Sequence, residues 1–349
     1  MTPGLVPGRG VVRRRPAAVT PAGRVGRRAL AASAALALDR FVGEPPVPPH
    51  LHPVAILGRG MAALEDRVYA DRRAPGAVLA GVSVAGAAAA GCAVRSATLA
   101  GYVATSGRAL QDAALDVAAA LDTGDLPEAR RLVTHLVGRD PTGLDAGDIA
   151  RAVVESVAEN TTDAVVAPAL WTLAAGAPGA AAHRAADTLD SMVGYRTARY
   201  RRFGTAAARL DDVLAWLPAR ATAVLVAAAR PSRAVEVART VRSDAAAHPS
   251  PNAGVAEAAF AAALGVQLGG GENRYDDVVE HRPTLGAGRR PEAADIRAAV
   301  ALCRAVTAVL GGTLAAVGVA GLALDRRGAG RGRRPAGPDH RPAPAGRRP

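Results

Sequence analysis

Residues 76–94 read GAVLAGVSVAGAAAAGCAV, a run of nineteen residues without a charge. Residues 305–324, AVTAVLGGTLAAVGVAGLAL, form a second uncharged run of twenty residues between Arg304 and Asp325. About 20 apolar residues are enough for a helix to cross the hydrocarbon of a bilayer. The two runs therefore predict membrane-spanning helices.

Two further segments extend this pattern. Residues 164–182 are also uncharged, whereas residues 213–229 are a weaker candidate because Pro218 and Arg220 interrupt them. Residues 108–163 are polar and have helical spacing. The sequence thus predicts an all-α, polytopic integral membrane protein with about four spanning helices and a polar helical region between the first two spans.

The positive charge is concentrated at the two ends of the chain. Residues 1–30 carry seven Arg and no acid, and residues 326–349 carry eight Arg and one acid, so the net charge of +12 describes two tails. Both tails are Pro/Gly/Arg-rich, which predicts disorder for residues 1–28 and 326–349 around a membrane domain at 29–325. Arg clusters favour the cytoplasmic side. No DNA- or RNA-binding motif accompanies them, so no nucleic-acid partner is predicted.

A polar stripe follows a predicted helix start near residue 146. Offsets of 3, 7 and 11 residues fall on one helical face. Clustered carboxylates could hold Mg²⁺ for nucleotide chemistry, and a solvated helix face is the alternative. There is no GxxxxGK[ST] motif, so ATP would not be bound by a P-loop. The stripe consists of Asp148, Arg151, Glu155 and Glu159, and it continues into Asn160 and Asp163.

Three more polar segments lie beside the apolar runs. Residues 187–196 end in Arg196, which could clamp a phosphate or anchor a span at the membrane surface. The pair Asp211 and Asp212 is costly next to a bilayer unless something cationic uses it. Asn252, in the Pro-rich turn at 248–254, could bind a ligand or merely close the turn.

Taken in chain order, these segments resemble the CobD/CbiB family over roughly residues 36–325. Asp187 departs from the pattern, because Asn is typical at that position. The matching motifs are Leu38-Asp39-Arg40, Gly43-Glu44-Pro45-Pro46, His52-Pro53-Val54 to Gly58-Arg59, Gly138-Arg139-Asp140, Glu155 to Asn160 with Asp163, Thr188 to Arg196, Arg209 to Asp212 with Pro218-Ala219-Arg220, and His248 to Gly254.

The resemblance implies a multi-pass plasma-membrane enzyme, an ATP-dependent acid–amine ligase of cobalamin biosynthesis. Such an enzyme joins (R)-1-aminopropan-2-ol phosphate, or aminopropanol, to the propionate side chain of adenosylcobyric acid and gives adenosylcobinamide phosphate. ATP and Mg²⁺ are the implied co-substrate and metal. Other cobalamin-assembly enzymes are the implied protein partners.

The chemistry of such a ligase suggests roles for the polar residues as hypotheses. A phosphoryl transfer needs a metal, a nearby cation and a base for the ammonium group. The hypotheses are metal or base roles for Glu155, Glu159 and Asp163, with Glu155 and Glu159 as Mg²⁺ ligands; phosphate binding by Arg196; and substrate binding by Asp39, Asp140, Asn160, Asp190, Asp211, Asp212 and Asn252.

Two other classes of function remain open at the level of sequence. A small-solute transporter would also place polar residues beside spans, but it should show internal repeats, and none is seen. A non-catalytic scaffold for corrin enzymes would not require both the acidic stripe and the Asp pair.

Overall fold

The computed structural model describes residues 20–138, 140–275 and 278–331. Most of the predicted tails, residues 1–19 and 332–349, lie outside these ranges. The helices are α1 Pro21–Val42, α2 Pro53–Val68, α3 Arg73–Val94, α4 Ala97–Ala104, α5 Gly107–Asp122, α6 Leu126–Val133, α7 Ala146–Thr161, α8 Ala167–Ala175, α9 Ala177–Val193, α10 Thr205–Ala229, α11 Ala234–Asp244, α12 Ala253–Leu264 and α13 Ala293–Arg331.

The all-α prediction is confirmed, with one small addition. Strands β1 (Glu272–Tyr275) and β2 (Val278–His281) form a two-stranded antiparallel hairpin between α12 and α13. The polar region after the first span is helical as predicted, since α5 and α6 cover residues 107–122 and 126–133. The hairpin places Arg282 directly after β2.

Small residues let α1 and α13 approach closely. A Cβ on Gly26 would lie 2.9 Å from the carbonyl oxygen of Gly318, and one on Gly321 would lie 2.7 Å from that of Ala22. Asp325 accepts hydrogen bonds from the backbone N and the hydroxyl of Thr20, at 3.0 and 2.7 Å. Such contacts between glycine faces are typical of helix pairs in membranes.

Replacing Gly321 by Ala should therefore destabilise the chain by about 1–3 kcal/mol, the usual cost of overpacking. The matched control is Gly312→Ala on the same helix, where an added Cβ meets nothing within 4 Å. Thermal unfolding in detergent would measure the difference. Equal Tm values for the two variants would contradict the close packing of α1 on α13.

Both boundaries between tail and domain lie closer to the chain ends than the sequence predicts. Helix α1 begins at Pro21 with Thr20 as its N-cap, so residues 21–28 are helical rather than disordered. At the other end, α13 continues to Arg331, beyond the predicted boundary at 325. The contact between Thr20 and Asp325 holds the start of α1 against α13.

Within the described ranges, three helices are long and apolar enough to cross a membrane: α3, α10 and residues 293–327 of α13. The predicted span at 164–182 is wrong as a single helix. It is divided into a π-helical turn, α8 and α9, with a break at Gly176, whose φ is +71°. Glycine tolerates this backbone conformation, and α9 begins directly after it at Ala177, with Pro178 in its first turn.

Helix α7 lies in the centre of the molecule. Its apolar residues, among them Ile149, Val153 and Val157, are fully buried, and most of α12 is buried as well. Arg151 and Glu155 are also buried, at 8% and 9% exposure. Arg151 and Glu155 therefore do not lie on a solvated helix face, whereas Asp148 is half-buried and Glu159, near the end of the helix, is exposed.

The protein should fractionate with membranes and need detergent for extraction. The three candidate spans expose large apolar side chains such as Val82, Leu217 and Val319, which water would solvate poorly. Ultracentrifugation of lysed cells, followed by size exclusion in detergent, tests this. A monodisperse protein in the soluble fraction without detergent would contradict the membrane assignment.

Candidate active site

One cavity of about 670 Å³ gathers the acidic side chains that are scattered along the sequence. It lies where the end of α7, the end of α9 and the first turns of α10 meet, and the turn at 248–253 closes one side. Asn160, Arg196 and Asn252 also line it. The six acidic side chains that line it are Glu159, Asp163, Asp187, Asp190, Asp211 and Asp212.

The change of helical geometry after α7 places Asp163 in this cavity. Residues Thr162–Val166 form a π-helical turn, a local widening that is frequent at functional sites. The hydroxyl of Thr162 donates to that of Thr222 on α10 at 3.0 Å, and the carbonyl of Ala164 accepts from the backbone N of Ser106 at 3.1 Å. The turn is thereby fixed from both sides.

Like charges and burial act together on the carboxyl groups. The pKa of Asp163 is raised well above its usual value, first by desolvation and then by the charges of Asp211, Asp187, Glu159 and Asp190. Desolvation also raises the pKa of Asp187, although Arg184 at 3.0 Å opposes the shift. Such a cluster attracts cations, because several carboxylates cannot ionise side by side without a counter-charge.

Asp190 is the clearest case, since burial and the charges of Asp212, Asp187 and Glu159 raise its pKa to about 6. The folded protein then binds more protons than the unfolded chain between pH 3.8 and 6, so stability falls as the pH rises through this window. Asp190→Asn should raise Tm at pH 7.5 by roughly 2–4 °C, the effect of about 1 kcal/mol in a large domain. At pH 4 the gain should vanish, and a gain that is the same at both pH values would contradict the assignment.

The cavity also carries cations on its wall. Arg196 follows α9 and attracts the carboxylate of Asp212, and Arg282 reaches the cavity from the end of the hairpin. Arg282 is hydrogen-bonded to His248 Nε2. The site is thus strongly acidic with two guanidinium groups at its edge.

Both the nitrogen and the oxygen of the Asn252 side-chain amide are hydrogen-bonded to other residues of the chain. Its Nδ2 donates to the carbonyl of Asp212 at 2.8 Å, and its Oδ1 accepts from Arg220 at 2.7 Å. The guanidinium of Arg220 lies 4.6 Å from the ring centroid of Trp216. Asn252 therefore closes the 248–254 turn onto α10, and these contacts supply the polar neighbour that an arginine within a span requires.

Three of the predicted site residues lie elsewhere. Glu155 does not line the cavity; its Oε1 accepts from the backbone N of Gly269 at 2.8 Å. Asp39 accepts from the backbone N of Arg108 at 3.1 Å, and burial raises its pKa to about 6. Asp140 accepts from Thr142 in a surface loop.

The proposed Glu155–Glu159 metal pair is consequently not brought together. Across residues 20–138, 140–275 and 278–331, no three His, Cys, Asp or Glu side chains form a preformed metal site. Glu159, Asp163, Asp190, Asp211 and Asp212 do converge as the sequence hypotheses require.

Arg282 and His248 were missed as cavity residues. Arg282 follows a hairpin that the sequence did not predict, and no motif identified it. His248 begins the Pro-rich turn at 248–254, and no pattern in the sequence indicates that it lines a cavity.

The amino-acid sequence matches known proteins over most of its length. Residues 32–303 match the family model described as CobD/Cbib protein. A cobalamin biosynthesis protein CobD from Mycobacterium tuberculosis (strain ATCC 25618 / H37Rv) is 45% identical over 278 residues, which cover 76% of this chain and 88% of that protein. The protein of the same description from Geobacter metallireducens is 40% identical over 288 residues, 77% of this chain and 90% of that protein.

No solved structure matches the chain. The family model and the relatives that align over most of the chain indicate the same family. The residues matched by the family model include the six cavity carboxylates named above. The chain belongs to the CobD/CbiB protein family.

Proposed function

We propose that this chain acts in cobalamin biosynthesis as an ATP-dependent ligase that joins aminopropanol phosphate, or aminopropanol, to the propionate of adenosylcobyric acid. The observation that carries the proposal is the single cavity that combines six carboxylates with two arginines. Its acidic part suits an ammonium group and a metal, and its arginines suit phosphate. The names of the relatives support the pathway.

The size of the cavity restricts what can enter it. A volume of about 670 Å³ is that of a site for a small ligand. The amino alcohol and a triphosphate fit this class, whereas a corrin macrocycle with its adenosyl group is larger. Only the reacting propionate arm of the corrinoid would then reach the carboxylates, with the ring at the mouth.

The reaction is balanced as two displacements. A propionate oxygen attacks the γ-phosphorus of ATP, the bond from that phosphorus to the bridging oxygen breaks, and ADP leaves. The amine nitrogen then attacks the acyl carbon, the carbon–oxygen bond breaks, and phosphate leaves with the former carboxylate oxygen. The amine must lose protons, and an ionised cavity carboxylate such as Asp190 would accept one of them.

The cavity also fits Mg²⁺ by its donor set. Asp211 Oδ1 is buried and accepts no hydrogen bond from the described residues. Mg²⁺ usually takes one or two carboxylates together with water and substrate phosphates, so a preformed cage is not required. Glu159, Asp163 and Asp211 are the side chains that would hold it, and the bound ion would neutralise phosphate charge.

The proposed location is the plasma membrane, with both Arg-rich ends in the cytoplasm. Both ends lie on one side of the membrane only if the chain crosses it an even number of times. Three candidate helices are an odd number, so either one of them does not cross or one further segment crosses as well. Single cysteines introduced near residues 5 and 345 should then resist an impermeant thiol reagent in intact cells. Labelling of one end alone would contradict the arrangement.

Amide formation can be measured directly with purified protein in detergent. Adenosylcobyric acid, ATP, Mg²⁺ and aminopropanol phosphate are incubated together, and the corrinoid products are identified by mass spectrometry. The expected product is adenosylcobinamide phosphate, and its formation should stop when ATP is omitted. An active, folded preparation of the full chain that never gives the amide with either amine would refute the proposal.

A further inference from the structure

Arg282 is the cavity residue that nothing in the sequence pattern explains. We propose that Arg282 is a phosphoryl-binding residue of this site, held in place by His248, by Glu257 and by the buried polar residues of α7. The inference rests on the proposed ligase function and extends it to the recognition of one substrate group. That group is the phosphate of the amine or the γ-phosphate of ATP.

The backbone at Arg282 is fixed by a glycine-rich loop. The N of Arg282 donates to the carbonyl of Gly271 at 2.9 Å, and its carbonyl accepts from Gly270 at 3.1 Å. Gly269 and Gly270 have φ values of +64° and +70°, and a Cβ on Gly269 would collide with the carbonyl of Pro283. Glycine is needed here because no other residue allows both the conformation and the close approach.

The side chain of Arg282 is supported by two buried groups. Its guanidinium contacts His248 Nε2, and Glu257 Oε1 lies 3.5 Å from the same nitrogen. The side chains of His248 and Glu257 are only 1% and 5% exposed. These contacts hold the guanidinium of Arg282 at the cavity wall, where its planar set of N–H donors suits phosphate oxygens.

The buried stripe of α7 supports the same loop from behind. Glu155 Oε1 accepts from the backbone N of Gly269 at 2.8 Å, and Arg151 Nη1 donates to the carbonyl of Gly269 at 2.7 Å. The sequence suggests a metal or base role for Glu155, but Glu155 and Arg151 instead hold the loop that positions Arg282. They are positioning residues, since they act through Arg282.

The charge of the cavity indicates which group Arg282 binds. Six carboxylates repel an anion, so a phosphoryl group can enter only beside cations. Among the residues that the structure describes, Arg196 and Arg282 are the arginines on the cavity wall. A planar guanidinium matches phosphate oxygens in a two-pronged geometry. An amino phosphate would thus place its ammonium among the acids and its phosphate at the arginines.

Steady-state kinetics of Arg282→Gln test this, with Arg239→Gln on the exposed face of α11 as the matched control. The KM for the phosphorylated amine, or the KM for ATP, should rise about tenfold to a hundredfold, the effect of losing a charge-assisted hydrogen bond. The KM for unphosphorylated aminopropanol should change little. A rise for the amine assigns its phosphate to Arg282, and a rise for ATP assigns the γ-phosphate. An equal rise for both amines with unchanged KM for ATP would overturn the proposal.

Direct binding separates this proposal from the ligase function. Titration of the detergent-solubilised full chain with aminopropanol phosphate, and separately with ATP, needs no corrinoid and no turnover. Weaker binding of either ligand to Arg282→Gln than to Arg239→Gln would support the site even if no amide forms. Equal affinities of both variants for both ligands would overturn it.

The positioning role of Glu155 can be tested separately through the KM values. Glu155→Ala removes the acceptor for Gly269 and should raise the same KM values as Arg282→Gln, by a smaller factor. Glu155→Gln keeps an oxygen at that place and should restore them. If Glu155→Ala lowers Tm but leaves every KM unchanged, α7 does not act through Arg282.

Discussion

Glu159→Gln is expected to lower ATP-dependent amide formation by roughly a hundredfold or more while the protein stays folded, as for the loss of a metal ligand or general base. Glu159 lies at the end of α7 with its side chain in the acidic cavity. Gln keeps the shape and removes the charge. A surface residue with no role would change stability by no more than about 0.5 kcal/mol and would not affect the rate.

The matched comparison is Glu155→Gln, one helical turn earlier on the same face. Glu155 contacts the backbone of Gly269 and not the cavity, and the Gln oxygen can accept the same hydrogen bond. Its turnover should stay within a fewfold of the unmodified chain. Near-normal turnover of Glu159→Gln at saturating Mg²⁺ would remove Glu159 from the site.

Asp163→Asn should give an equally large loss of turnover, on the order of a hundredfold, together with a gain in stability. The pKa of Asp163 is raised by desolvation and by four neighbouring acids, so its ionised form destabilises the fold at neutral pH. Asn removes that repulsion. Tm at pH 7.5 without Mg²⁺ should rise by roughly 2–4 °C, the effect of about 1 kcal/mol in a large domain.

Asp116→Asn is the matched control for the expected loss of turnover and gain in Tm. Asp116 is exposed on α5, and it should change neither turnover nor Tm appreciably. The contrary result would be an Asp163→Asn protein that turns over normally or that melts below the unmodified chain. Normal turnover would remove Asp163 from the site, and a lower Tm would contradict the repulsion between Asp163 and its neighbouring acids.

The spans show what local patterns can predict. Residues 76–94 and 305–324 are uncharged over a membrane-crossing length, and each lies in one long helix. Residues 164–182 have the same length and composition, but Gly176 with Pro178 breaks the helix. Hydropathy averages over such a break, so it cannot distinguish one long helix from two short ones.

The sequence predicts the acidic residues of the cavity but not every contact between them, because local patterns do not report tertiary contacts. Each acidic cluster, such as residues 159–163 or 211–212, can be recognised in the sequence because it lies beside an apolar run. The family resemblance suggested that the clusters belong to one site. The sequence stripe wrongly added Glu155, because residues one helical turn apart share a face but can meet different neighbours where α7 passes through the core. Arg282 lies more than 100 residues from Glu159, and only the tertiary fold brings it to the same wall.

The most direct test of the ligase account follows one oxygen atom. Adenosylcobyric acid carrying ¹⁸O at both oxygens of the reacting carboxylate is incubated with the purified chain, ATP, Mg²⁺ and aminopropanol phosphate. The amide, the phosphate and the nucleotides are then analysed by mass spectrometry. The account predicts one amide per ADP and one ¹⁸O in the inorganic phosphate, because the propionate oxygen leaves with the γ-phosphoryl group. Amide without ¹⁸O in the phosphate, or ATP-dependent turnover without amide, would contradict it.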